Sequence, residues 1–288
     1  MLEKKLNNII YLIIFIPIAI VLGPLIPDLV ITLISLYFLI FHFKEIKIFF
    51  NKYSFFKILI IFCFINILVS FFSENIYLSL KNSITYLRFP LFIVAVSFLL
   101  KDNYKIINYF YYVLFFTILI LSLDAFLQFF SGKNVLGYIS NSKNRISGLF
   151  NDEFILGSFL ARMTPILIAL LFYLKKNEHK IPIICVCTLS LLATLISGER
   201  TALGMSIFFY LFLFLFIFNF DKKKKILLSI FLIFSLILII FNSEKLKDRL
   251  IKTTFLQFEA ILENYKTSGN KEDLDIGVFN NQHIKHLK

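Results

Sequence analysis

The sequence predicts an all-α fold: a polytopic transmembrane helical bundle of about nine spans, N-terminus inside and C-terminal segment outside. Three observations predict it. Apolar runs recur along the chain at close to the roughly 20 residues a helix needs to cross a bilayer. Of 288 residues, 59% are hydrophobic and 17% charged, with mean hydropathy +0.83; soluble domains average about 45–50% apolar and about 25% charged. Finally, the lysines crowd into alternate gaps between the runs, the asymmetry that orients membrane helices.

The predicted spans are 7–23, 27–43, 55–72, 83–100, 106–130, 154–174, 181–197, 201–219 and 226–242. The first has no small-residue cleavage site and runs at once into the second, so it reads as a retained helix rather than a signal peptide. Gly23-Pro24 through Pro27 makes the link a tight turn. Both spans are short, and a single re-entrant pair is the alternative for them. Residues 1–242 thus form a transmembrane domain, and 243–288 begin a large outer loop. Within that loop, Leu246, Leu250, Phe255, Phe258, Leu262 and Tyr265 fall near helical spacing over 244–265, the pattern of an amphipathic interfacial helix.

With the N-terminus inside, segments 1–8, 44–57, 101–105, 175–180 and 221–225 hold 15 Lys and Arg, against 5 in 23–27, 73–82, 131–153 and 197–200. Lys222 to Lys225 are the strongest anchor. The tail beyond 243 carries eight basic residues balanced by seven acidic ones. A net charge of +12 invites a nucleic-acid reading, but the placement of the lysines in short inter-helix loops excludes it. Cys63, Cys185 and Cys187 lie in apolar runs and read as buried thiols without a disulfide framework. There is no Trp, so Tyr11, Tyr37, Tyr86 and Tyr173 supply the interfacial belt.

Against this background four arginines stand out, all on the predicted outer side. Arg145 and Arg200 sit in outer loops, while Arg88 lies about 7 Å and Arg162 about 12 Å inside the outer ends of their helices, at 1.5 Å per residue. Guanidinium groups near hydrocarbon are costly and point to function, and their fork of donors suits phosphate. Asp124 is the intramembrane counter-charge expected for Arg88 or Arg162. Asn66 and Gln128 also lie near outer ends, and Pro90 and Pro165 follow the two deep arginines, where proline kinks a helix. The inner halves of these helices are almost purely apolar, whereas a transporter needs polar lining through the whole thickness.

The 131–153 loop holds Gly132, Gly137 and Gly148 of the nine glycines. Asn151 or Asp152 is expected to cap a helix starting near Phe154, whose free amides with Arg145 would make an anion site. Ser197-Gly198-Glu199-Arg200-Thr201 is a tight link that keeps Arg200 at the interface. Glu199 either holds that arginine or is itself a catalytic carboxylate. Asp273-Leu274-Asp275 has the form of a metal-binding DxD but reads as a solvated turn, and no metal site or cofactor is expected. His42 and His179 fall inside; His283 and His286, three residues apart in the tail, would bind metal only weakly as a pair.

Arg145-Ile146-Ser147-Gly148-Leu149-Phe150, running into Gly157-Ser158 and Pro165, resembles the signature of the O-antigen ligase and O-antigen polymerase superfamily. Ser197-Gly198-Glu199-Arg200-Thr201-Ala202 is similar to that family's short outer turn, and Arg88 in Tyr86-Leu87-Arg88-Phe89-Pro90 to its fourth-helix arginine. The resemblance covers about residues 50–288. It implies a metal-independent glycosyltransferase of the bacterial inner membrane, working in surface polysaccharide or lipopolysaccharide biosynthesis. Such an enzyme passes a glycan from undecaprenyl diphosphate to a hydroxyl of an acceptor glycan or of lipid A-core, with Arg88, Arg145, Arg200 and, by depth, Arg162 and Asp124 binding the substrate. The catalytic histidine of the family is expected beyond Lys288, so the chain reads as the N-terminal portion of a longer protein. His283, His286 and Glu199 are the nearest candidates for a base within it. Competing readings are a polysaccharide flippase or transporter, disfavoured by the apolar inner halves, and a non-catalytic membrane subunit.

Overall fold

A computed structural model describes residues 2–100, 104–140, 145–176 and 180–213, with Lys252, Phe255, Leu256 and Glu259 in the tail. Met1–Asn141 and Ile146–Tyr210 make one compact unit; Ser142–Arg145 and Leu211–Lys288 make a second. The first unit carries nearly all of the described helices. Its elements are α1 (Leu2–Val21), α2 (Leu25–Phe41), α3 (Phe43–Lys52), α4 (Ser54–Ser70), α5 (Ile76–Thr85), α6 (Arg88–Leu100), α7 (Tyr104–Ser131), a 3-10 turn (Gly148–Phe150), α8 (Leu156–Tyr173), α9 (Lys180–Ile196) and α10 (Arg200–Phe212). Apart from one isolated bridge between Lys133 and Ile139, the described secondary structure is helical.

The helix ends follow from local chemistry. Gly23, at φ +121°, turns the chain between α1 and α2, a conformation that glycine reaches without a Cβ clash. Pro24 then precedes α2, where its missing N–H and fixed φ do no harm. Asn75 caps α5 by accepting the Leu78 N–H at 3.2 Å. Between α5 and α6 the amide of Phe89 takes the Tyr86 carbonyl at 3.1 Å. Pro90 has no N–H to offer that carbonyl, so the three-residue bond fills its place.

α7 packs against α1, α8 and α9, and α2 packs against α1 and α6. Ile10, Ile14, Ile34, Phe38, Ala95 and Leu99 fill the contact between α1, α2 and α6. Between α8 and α9 the hydroxyls of Thr164 and Ser190 bond at 2.8 Å; those of Ser70 and Ser83 bond at 2.6 Å between α4 and α5. Such bonds hold helices together where the surroundings are as apolar as the packing. The outward faces are unlike those of a soluble protein. Phe55, Ile58, Phe62, Ile65 and Val69 make an exposed stripe at helical spacing along α4, a surface that belongs in hydrocarbon.

Among the described residues three helices are long and apolar enough to cross a membrane: Ile76–Leu100, Lys105–Ser131 and Leu156–Tyr173. Leu25–Phe41 with Phe43–Lys52 makes a fourth if that pair, bent by 95°, is one broken span. Ile10–Val21 of α1, Ser54–Ser70, Pro182–Ile196 and Arg200–Phe212 are further apolar stretches of ten to seventeen residues among the described residues. Three or four of the spans that the sequence predicts are thus met by length and composition among the described residues. The fourth predicted span starts earlier than expected, at Ile76, because α5 and α6 run on nearly as one rod. Segment 44–57, expected as a loop, is largely the helix α3. The ninth predicted span, 226–242, lies outside the described residues, as does nearly all of the amphipathic segment 244–265.

Candidate functional site at the loop ends of α7, α8 and α9

The loop 132–155 and the turn 197–199 meet at the start of α8, where the Ile146 N–H reaches the Ser197 carbonyl and the Gly157 N–H reaches Glu199. α7 delivers two buried polar side chains there, Asp124 and Gln128. They are four residues apart and so share a helix face. The loop after α7 folds back over them. Asn134 is buried too; its Oδ1 accepts the Tyr138 N–H at 2.7 Å, and its amide donates to the Gly148 carbonyl at 2.9 Å. Gly148 N–H donates to Gln128 Oε1 at 2.8 Å, and Val135 N–H donates to Asp124 Oδ1 at 2.8 Å. Buried backbone in an irregular loop needs such partners, and here side chains of α7 supply them.

Gly148 has φ +58°, and a Cβ there would lie 3.2 Å from Asp124 Oδ2. Only glycine combines that backbone with the close approach. Asp124 Oδ2 and the Ser147 hydroxyl are both buried without a hydrogen-bond partner. Gly148 is thus seated on α7, beside two unmet polar atoms.

The second half of the site is built around Glu199, which is 8% exposed. Its Oε1 accepts Gly157 N–H at 2.7 Å; its Oε2 accepts Ser158 N–H at 3.2 Å and Ser158 Oγ–H at 2.6 Å. These are the first-turn amides of α8, so Glu199 sits where a helix N-terminus attracts an anion. Three donors compensate its burial. A Cβ on Gly157 would collide with the Ser197 hydroxyl and crowd Glu199, so glycine is needed for α8 to reach the 197–199 turn. The turn itself bends at Gly198, φ +73°, and the Ser197 carbonyl accepts the Ile146 N–H at 3.4 Å.

This arrangement corrects three expectations. First, α8 starts at Leu156 rather than near Phe154, and neither Asn151 nor Asp152 caps it. Ile155 precedes it without a side-chain bond, and Asp152 instead accepts the Tyr138 hydroxyl at 2.6 Å. Second, the anion site at that helix start is filled by Glu199, so no substrate phosphate fits on those amides. Glu199, accepting three hydrogen bonds, clamps the 197–199 turn to the start of α8. Third, Asp124 is the counter-charge of neither deep arginine. Arg88 pairs with Asp28 of α2 at 2.8 Å and donates to Thr32 at 3.2 Å, while its carbonyl accepts the Ser35 hydroxyl at 2.7 Å. Arg162 is exposed on the flank of α8, away from Asp124 on the buried face of α7.

Arg200 is the first residue of α10 and half-buried; Arg145 is half-buried just ahead of Ile146. The structure joins the segments carrying the 146–150, 157–158 and 197–199 motifs and leaves Arg88 with α2. His283, His286, Asp273 and Asp275 lie outside the described residues. Asp28 as the partner of Arg88 and Asn134 as a loop anchor were not read from the sequence. For Asp28 a signal existed, since it is an acid beside the Pro24–Pro27 turn at the same predicted level as Arg88. No group of three His, Cys, Asp or Glu side chains among the described residues is placed to hold a metal ion. No family model matches the sequence, and no curated protein or solved structure is found to be similar to it.

Proposed function

We propose that the chain is an integral-membrane glycan transferase of the O-antigen ligase or polymerase type, acting on a lipid-diphosphate-linked glycan at the outer face of the bacterial inner membrane. One observation carries the reading. Of the stretches that resemble the family, 146–150 and 157–158 lie about 40–50 residues from 197–202 in sequence, yet Ile146 bonds Ser197 and Gly157 bonds Glu199. Clamping a loop and two helix ends together in this way is what fixing a substrate site requires.

In the proposed reaction the acceptor hydroxyl oxygen forms a bond to the anomeric carbon of the glycan. The bond from that carbon to the diphosphate oxygen breaks, and the diphosphate leaves with the electron pair. The acceptor proton passes to a base, which this reading does not assign to Glu199. Arg145 and Arg200 carry the diphosphate charge as it develops. Arg88 is assigned to holding α6 on α2, and Arg162 is left without a substrate role.

The test is complementation of a host lacking the intact gene, read as surface glycan on silver-stained gels. Arg145→Ala and Arg200→Ala should each abolish the glycan at normal membrane abundance of the protein. Full glycan from both variants would contradict the proposal.

A further inference from the structure

α3 leaves α2 at 95°, so it runs across the end of the bundle rather than through it. No residue of α3 is fully buried. Ile46 and Phe49 are half-buried on the side toward the bundle, with the Phe49 ring 5.3 Å from that of Phe56 on α4. Phe43, Ile48 and Phe50 are exposed. Lys44, Lys47 and Lys52 are exposed as well, as is Lys57 one turn into α4. Against these four lysines stands one acid in 44–57, Glu45, giving this small surface a charge of +3. The ammonium of Lys52 lies 5.2 Å from the Tyr53 ring and that of Lys57 lies 5.8 Å from the Phe50 ring. The charges thus sit at the boundary between aromatic and polar surface, as snorkelling lysines do at headgroup level.

We infer that α3 is a docking surface for anionic phospholipid headgroups in the leaflet that holds this end of the bundle. Charge decides the occupant. Zwitterionic lipid gives the lysines no net attraction, whereas an anionic leaflet contributes roughly fivefold in affinity per lysine near its surface. The exposed Phe43 and Phe50 require hydrocarbon beside the charge, which a lipid supplies and a soluble acidic protein does not. The inference stands apart from the proposed glycan transfer.

The probe is spin-labelled phosphatidylglycerol against spin-labelled phosphatidylcholine, with the full chain reconstituted in mixed bilayers of the two lipids. The native chain should prefer phosphatidylglycerol by more than about fivefold at low salt, since the contributions of the lysines multiply, and the preference should fall as salt screens the charge. Lys44→Gln, Lys47→Gln and Lys52→Gln together should bring the preference close to parity, while the same three positions as Arg keep it. If the glutamine triple does not fold, the three single variants decide, each lowering the preference in part. No preference in the native chain, or one that survives the loss of the α3 lysines, would overturn the inference.

Discussion

Glu199 and Gly157 meet at 2.7 Å, carboxylate oxygen to amide nitrogen, across 42 residues of sequence. With the two bonds from Ser158, this contact ties the turn after α9 to the start of α8. Removing the carboxylate by Glu199→Ala strands two amides and a hydroxyl in a buried place. A lost helix cap costs about 0.5–2 kcal/mol, and bonds to a charged group are worth about 1.5–3 kcal/mol. A destabilisation of about 2 kcal/mol is therefore expected, with Glu199→Gln intermediate because one acceptor oxygen remains. Thermal unfolding in detergent, followed by circular dichroism, checks this; an unchanged transition in the alanine variant would rule out the clamp.

Two helical glycines, Gly157 on α8 and Gly204 on α10, should respond oppositely to the same substitution. At Gly157 an added Cβ runs into Ser197 and Glu199, while at Gly204 on α10 it meets nothing within 4 Å. Gly157→Ala should therefore lower the melting temperature. Gly204→Ala should leave it level or raise it, since alanine is preferred to glycine in a helix by about 1 kcal/mol. The side-by-side melts are the measurement, and a Gly157→Ala protein as stable as the native one would mean that α8 does not approach the turn so closely.

Asp28 and Arg88 form an ion pair between α2 and α6, but the Asp28 side chain is 56% exposed. Exposed pairs contribute about 0.2–1 kcal/mol, so a double-mutant cycle of Asp28→Asn and Arg88→Gln should give a coupling in that range. The functional corollary is sharper. If Arg88 only joins helices, Asp28→Asn should depress glycan transfer as much as Arg88→Gln does. Transfer lost in the arginine variant alone, at equal stability, would return Arg88 to the substrate.

The helical class and the placement of polar residues near the ends of apolar runs were legible because both depend on residues close in sequence. Period, charge and proline spacing report them directly. The partners were not. Asp28 finds Arg88 across 60 residues, and Glu199 finds α8 across 42; no local pattern encodes either meeting. The cap of α8 was assigned to Asn151 or Asp152 because they are the nearest cappers in sequence, but the chain needs five more residues before it turns helical. α3 was missed as a helix because its lysines marked it as a loop, although Ile46, Phe49 and Phe50 recur at helical spacing.

The central claim is that Arg145 and Arg200 grip a lipid-linked diphosphate. The most direct measurement is binding of undecaprenyl diphosphate, with uncharged undecaprenol as the reference, to the purified protein in nanodiscs. The native chain should prefer the diphosphate by about tenfold or more, since each charged hydrogen bond is worth about 1.5–3 kcal/mol and 1.4 kcal/mol is tenfold. Arg145→Ala and Arg200→Ala should each lose most of that preference. Equal binding of the two lipids by the native chain, or a preference untouched in both variants, would contradict it.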